Sequence, residues 1–422
     1  MRFNLTFVAI LSLTLTLCAG DAFSQSGSRS RPTGSNTRGS RTQGSGTQGS
    51  GTQGSGTQGA TPAPETAEAK AFRELQEQIR GNQKRIDYLF RTMPIGFPDR
   101  RKLHKGEIER LTQLNLQLKT QVFEKAKAAF STTEQPSLQS VKILEKQLRA
   151  CLNPKTSDQN FAPEAALELV AMMTEKFPKS PALRQQEFVA NYALERFENA
   201  EKAMAKLEAL TGSELTGPKQ LLKDTMDKYQ EELLIRRQEA GNNDLPEVLL
   251  RTSEGDIKVQ LFENHAPNTV ANFIHLVRDQ KFYDGKIFHL VKPGEFAVTG
   301  SPNGDGMGNP GYRIACECYE DKIRSHFRGT LSMMAATKDS GGSQFFITQQ
   351  PNPHTYDGRY TAFGRVIEGM DVVLKLHTID RTAGVASASN ASKIISAEVI
   401  SCLLYTSPSP RDQRGTRMPS SA

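Results

Sequence analysis

The sequence has no Trp, and aromatic residues make up only 7% of its 422 positions, so Phe and Tyr supply every large ring available to a core. Long hydrophobic runs are also missing. Hydrophobic residues make up 37% of the chain and the mean hydropathy is −0.50, which excludes a multi-span membrane protein. A concentrated basic surface is absent as well. The formal charge is +7, but residues 1–60 hold five Arg against one Asp and residues 402–422 hold three Arg against one Asp. The body between them is close to neutral, which argues against a dedicated nucleic-acid face. Cysteine is scarce, with five in the chain. Cys18 and Cys402 fall in the end segments, and Cys151, Cys316 and Cys318 form an odd set that makes no disulfide framework. Cys316-Glu317-Cys318 is too close for easy bridging along a strand and too sparse for a zinc site, so buried or free thiols are expected.

The ends read as segments outside any fold. Arg2, the apolar stretch Leu5–Leu17 and the small residues around Ala22-Phe23-Ser24 form an export signal, with cleavage after Ser24. The stretch is shorter than the ~20 residues of a membrane span, so no span remains once the signal is removed, and the mature chain is expected to be periplasmic or secreted. Residues 25–64 form a disordered Gly/Ser/Thr/Gln linker, with Gly46–Ser50 repeated at Gly51–Ser55. Almost nothing there can be buried to offset the entropy of ordering it. Cys402 to Asp412 reads as a translated sequencing adapter, so 402–422 is set aside from the fold as a probable artefact.

Residues 65–243 are rich in Ala, Glu, Lys, Gln and Leu, and their apolar residues step by three and four, as in Leu111, Leu114, Leu118, Val122 and Ala126. Helices are expected near 65–91, 101–130, 137–150, 163–176, 181–195, 197–210 and 218–240. Their breaks fall at Met93–Asp99, Pro163, Pro178, Pro181, Gly212 and Pro218. The 101–130 helix has a seam that would allow coiled-coil pairing. Residues 163–210 loosely resemble a tetratricopeptide-type hairpin through Tyr192, Phe197 and Ala200. That hairpin reads either as a docking groove for a protein partner or as a plain helical spacer.

At Pro246 the period changes to two. Val248–Leu250 and Ile257–Leu261 read as a hairpin around Ser253-Glu254-Gly255-Asp256, and Pro267 opens an amphipathic helix carrying Val270, Phe273, Ile274 and Val277. Ordered motifs then follow. They are Phe282-Tyr283-Asp284-Gly285, Phe288-His289, Pro293-Gly294, the glycine-rich Gly304–Gly311, Gly329–Met333, Gly342–Ile347, Asp357-Gly358 and Phe363–Val366. In this order they resemble a cyclophilin-type peptidyl-prolyl cis-trans isomerase domain, over about 246–401.

The resemblance implies an overall architecture of an all-α region (65–243) followed at 244–401 by a closed eight-stranded antiparallel β-barrel with two capping helices. Val372–His377 would lie on the second helix and Ile394–Ile400 on the closing strand. It also implies an isomerase that assists folding, binds proline-containing peptides or unfolded protein, and needs no cofactor or metal. An X–Pro bond turns slowly because its C–N bond has partial double-bond character, with a barrier near ~20 kcal/mol. The family lowers that barrier with an Arg donor beside an apolar proline pocket, which is electrostatic catalysis without a nucleophile.

In this sequence Leu290 occupies the place of that Arg. If Glu295 is an insertion, the resemblance implies a substrate surface made of Phe296, Thr299, Met334, Gln344, Phe346, Tyr356 and Tyr360, with Thr299 in the place of a Gln. Lys292 or Arg359 is a candidate replacement donor. The scaffold is thus kept while the catalytic face is altered. Two readings follow: an exported isomerase of reduced activity, or a non-catalytic cyclophilin-like binding module.

Overall fold

A computed structural model describes residues 67–154, 161–242, 245–319, 323–377 and 391–401. The segments expected to be an export signal, a linker and an adapter-derived tail lie outside the described residues. Among those described, no helix is long and apolar enough to cross a membrane.

Among the described residues, seven helices come first: α1 (Ala67–Arg91), α2 (Pro98–Thr132), α3 (Leu138–Leu152), α4 (Pro163–Lys176), α5 (Pro181–Ala193), α6 (Phe197–Thr211) and α7 (Thr216–Asn242). Their starts and stops follow local chemistry. Ser137 and Ser180 cap α3 and α5 by accepting the backbone N–H groups of Ser140 and Leu183, Pro163 and Pro181 open α4 and α5, and Gly212 ends α6 in the left-handed region. The described residues divide into two compact units, one up to Val122 and one from Phe123 onward. Within the first, Ile86 and Leu89 of α1 pack on Ile108 and Leu111 of α2, and Asn82 donates to Asn115 at 2.9 Å.

The second unit holds the remaining helices and the sheet. Its strands are β1 (Glu247–Thr252), β2 (Gly255–Leu261), β3 (Leu290–Lys292), β4 (Phe296–Thr299), β5 (Thr330–Met333), β6 (Phe345–Thr348), β7 (Ala362–Glu368) and β8 (Ile394–Ser401). The helices α8 (Pro267–Arg278), α9 (Pro353–Tyr356) and α10 (Met370–Lys375) lie between them in sequence. The strands form one eight-stranded sheet in the order β3-β4-β6-β5-β7-β2-β1-β8, and the paired strands run antiparallel. Side chains on its concave face make one core in which Phe273 meets Tyr283, Phe345 and Phe363 at ring-centroid distances of 5.1, 5.4 and 5.3 Å.

Two expectations are corrected here. The sheet is an open half-barrel rather than a closed barrel. β3 and β8 share no ladder, and they approach each other through the bridge between Ile287 and Lys393. The three-residue β3 ends at the Pro293 turn, too short to run a full ladder beside β8. The second correction concerns the cysteines: Cys316 and Cys318 form a disulfide, while Cys151 is buried and free among the described residues. The segment is not a strand, and its Cα atoms are only 5.5 Å apart, inside the range a disulfide needs. Glu317 between them is buried, and its carboxylate accepts the Asn268 and Thr269 N–H groups at the start of α8.

Helix α7, with Glu164 of α4 and Phe197 of α6, packs directly on the sheet domain. Arg324, with a fully buried side chain, donates twice to Glu232 of α7 at 2.7 and 2.8 Å and also bonds Glu239. Its guanidinium lies 3.7 Å from the Phe262 ring centroid. Tyr229 of α7 meets Phe327 edge-on at 4.9 Å, and the Arg328 N–H donates to Glu195 at 2.6 Å. Gly294, at the tip of the β3–β4 hairpin, has φ +79°, and a Cβ there would stand 3.1 Å from the Phe161 ring. The helical segment therefore touches the sheet domain at several separate places.

Candidate active site

A second, smaller apolar cluster lies outside the main core. Phe296 and Val298 of β4, Phe346 of β6 and Tyr356 of α9 are buried in it, and Leu290, Met334 and Tyr360 pack against them half-exposed. Strand alternation explains the membership. Ala297, Phe345 and Ile347 point into the main core, so Phe296, Val298 and Phe346 must point out of the other face. The Phe346 ring meets Phe296, Tyr356 and Tyr360 at 5.9, 5.4 and 5.3 Å, and Tyr356 meets Tyr360 at 5.9 Å.

Six of the expected residues bear on this site. Phe296, Met334, Phe346, Tyr356 and Tyr360 share the cluster with Leu290. Gln344 stands at its edge, where its amide donates to the Gly308 carbonyl at 3.0 Å and its own carbonyl accepts the Met334 N–H. Thr299 does not join. It is fully buried, and its hydroxyl donates to the Ile287 carbonyl at 3.0 Å.

The hairpin register gives the reason. Leu290 stands opposite Val298 and Lys292 opposite Phe296, with Pro293, Gly294 and Glu295 as the connection. Thr299 therefore shares a face with Ala297, and the residue facing Leu290 is Val298. Treating Glu295 as an insertion moves the reading by one residue, which in a strand reverses the face.

Polar groups around the cluster are tied down. Lys292, on the Leu290 face of β3, pairs with Glu295 at 2.5 Å. Arg359 is exposed. Burial pushes the Tyr356 phenol well above its ordinary range, helped by the nearby Glu295 and Tyr360, and burial also raises that of Tyr360. Both stay protonated and able to donate.

One supporting residue is invisible to motif reading. His326 is fully buried behind the cluster, and its ring lies parallel to Phe346 at 6.2 Å. Its Nδ1 and Asp357 Oδ1 are 2.8 Å apart, and its Nε2 lies 2.8 Å from the Ser332 hydroxyl. Asp357 in turn accepts from Lys228 of α7 at 2.9 Å, and Thr225 of α7 bonds His354 of α9 at 3.0 Å. The helix α9 that supplies Tyr356 is thus held from behind by α7. Burial alone would raise the Asp357 carboxyl, but His326 and Lys228 outweigh it and hold it below its ordinary value.

Residues 247–399 match the family model described as cyclophilin type peptidyl-prolyl cis-trans isomerase. A peptidyl-prolyl cis-trans isomerase of Synechococcus elongatus is 45% identical over 150 residues, which is 35% of this chain and 100% of that protein. Peptidyl-prolyl cis-trans isomerase B of Bacillus subtilis is 48% identical over 115 residues, covering 27% and 78% of the two chains. A crystal structure of a Cryptosporidium parvum cyclophilin type isomerase aligns at 28% identity and TM-score 0.32, covering 37% of this chain and 98% of that one.

Proposed function

The chain belongs to the cyclophilin-type peptidyl-prolyl cis-trans isomerase family, and from this premise we propose an exported isomerase of reduced turnover that holds X–Pro segments of unfolded protein. The observation that carries the reduced turnover is Leu290. The position that resembles the family's Arg carries an apolar side chain packed against Phe296, Val298 and Phe346. Rotation about the prolyl bond needs a donor that acts on the twisted amide, and one preorganised donor is typically worth ~10²–10³ in rate. The aromatic cluster that would hold a proline ring is intact, so binding survives where turnover is weakened. Phe296, Met334, Gln344, Phe346, Tyr356 and Tyr360 are the proposed contact residues, with Val298 in place of Thr299.

Export rests on Arg2, the Leu5–Leu17 stretch and the small residues before Gln25. The alternative, a binding module with no catalysis, draws on the same packing of Leu290 and on the pairing of Lys292 with Glu295. In either case the helical region is a second contact for a protein partner. The deciding measurement is the isomerisation rate of a short X–Pro peptide by the full chain. A rate 10²-fold or more below an ordinary cyclophilin, with peptide affinity retained, fits reduced turnover. No rate above background fits the binding module. A full rate removes Leu290 as the explanation.

A further inference from the structure

Outside the groove, the helical region carries a cavity of its own, of about 500 Å³, between α4, α5 and α6. Its volume lies in the range of small-ligand sites. Leu167, Val170 and Ala171 of α4 give it an apolar wall. The opposite wall is basic, with Arg184 on α5, Arg196 at the α5–α6 turn, and Lys202 and Lys206 on α6. Two carboxylates, Glu175 and Glu187, oppose these four cations. Glu187 pairs with Arg184 at 2.7 Å and lies 3.7 Å from Lys206. Among the described residues, Arg196 and Lys202 have no ion-pair partner.

The arrangement on α6 places two like charges on one face. Asn199, Lys202 and Lys206 are spaced by three and four and so lie on one face. Like charges at i and i+4 oppose helix formation, and among the described residues no acidic side chain is bonded to Lys202. Polar groups with unused capacity line the same space. The Thr174 hydroxyl is buried without a hydrogen-bond partner among the described residues. Asn191 is 4% exposed, and its amide donates to the Glu187 carbonyl at 2.8 Å, leaving its oxygen without a donor among the described residues.

We propose that this cavity binds a short acidic peptide segment of a partner protein, with carboxylates on Arg196, Lys202 and Lys206 and main chain on Asn191 and Asn199. A carboxamide both donates and accepts, as a peptide main chain does. The cations are spread along α6 by about 6 Å of helix rise rather than gathered at one point, which suits successive carboxylates better than a single phosphate. The apolar α4 wall gives side-chain methylenes a surface. This inference rests on the reading of the helical region as a partner-binding arm and does not depend on turnover at the groove.

The test uses the full chain and fluorescence anisotropy with labelled hexaglutamate, labelled hexaglutamine and inorganic phosphate as competitor. The expected result is that hexaglutamate binds at least 10-fold tighter than hexaglutamine at low salt. Lys202→Glu with Lys206→Glu should weaken it at least 10-fold, with Lys202→Gln and Lys206→Gln intermediate. X–Pro peptide binding at the groove and thermal unfolding should stay unchanged, which shows that the variants are folded. Three outcomes overturn the proposal: hexaglutamate affinity insensitive to both double variants, complete displacement by low-millimolar phosphate, or equal binding of the two peptides. In the last case, loss of both on charge reversal would keep the partner-binding arm while removing its acidic preference. If neither peptide binds, both fail.

Discussion

On the helix-covered side of the sheet domain, Arg324 is fully buried between two carboxylates and against Phe262, and Phe327 is closed over by Tyr229. On the groove side, the same sheet presents Phe296, Val298 and Phe346 with a Leu beside them and tyrosines at the rim. The first surface is specific because its charges would be costly if any partner were missing. The second is less exacting, because stacked rings and a Leu carry no charge that needs a fixed partner. The two meet at Asp357, which takes Lys228 from one side and His326 from the other. One domain can therefore carry an enclosed, charged contact at one place and an open apolar cluster at another, with the difference set by whether the contacts are charged and enclosed.

Breaking the enclosed side should have the largest effect. Arg324→Met leaves Glu232 and Glu239 buried without their main partner, and loss of one member of such a network typically costs ~3–5 kcal/mol. Chemical denaturation of the full chain should show that loss. A change below ~1 kcal/mol would mean that water reaches the network. Leu290→Arg sharpens the other side. It should raise the isomerisation rate by roughly 10-fold or more, toward the 10²–10³ of one preorganised donor, while peptide affinity changes less, because the donor acts mainly on the twisted amide. An unchanged rate would show that position 290 is not directed at the bond.

Acid should loosen the junction between the two sides. The folded Asp357 carboxyl is held below its ordinary value, so its stabilisation is present above the unfolded value near 4 and is lost as pH falls through the folded one. His354 is also depressed, first by burial and then by Lys228, so the native state prefers it neutral and stability begins to fall below about pH 6.5. Unfolding followed from pH 7 to 3 should show both losses, and Lys228→Met should shrink the acid-range part. A flat profile in Lys228→Met and wild type alike would remove Asp357 as a junction.

The smallest effect belongs to the Cys316–Cys318 bridge. It closes so short a loop that chain entropy gives it only ~1–2 kcal/mol. Alkylation before and after reduction should differ by two thiols, and reduction should lower the unfolding midpoint slightly.

Much of this fold was legible in the sequence. The helices near 163–176 and 197–210 were bounded correctly because Pro163 and Gly212 act on their own backbone, and the strand period around Ile257–Leu261 marks a half-buried sheet. Phe296, Phe346 and Tyr356 could be named as one surface because ordered motifs carried them. Thr299 could not be placed, because a single residue of register separates the core face from the groove face, and only the pairing of Leu290 with Val298 sets it. His326 was missed because a lone His in Ser325-His326-Phe327 has no local pattern, and its meaning comes from Asp357, 31 residues on.

What the sequence determined by itself is the part governed by neighbours along the chain: helix limits, strand alternation, and the Leu where a donor is expected. The tertiary structure alone decided which distant groups share a space. It brought Arg324 to Glu232 across 92 residues, turned Cys316 toward Cys318, and left the sheet open between β3 and β8. Local propensities act over a few residues, whereas burial and charge pairing depend on distances that exist only once the chain has closed on itself.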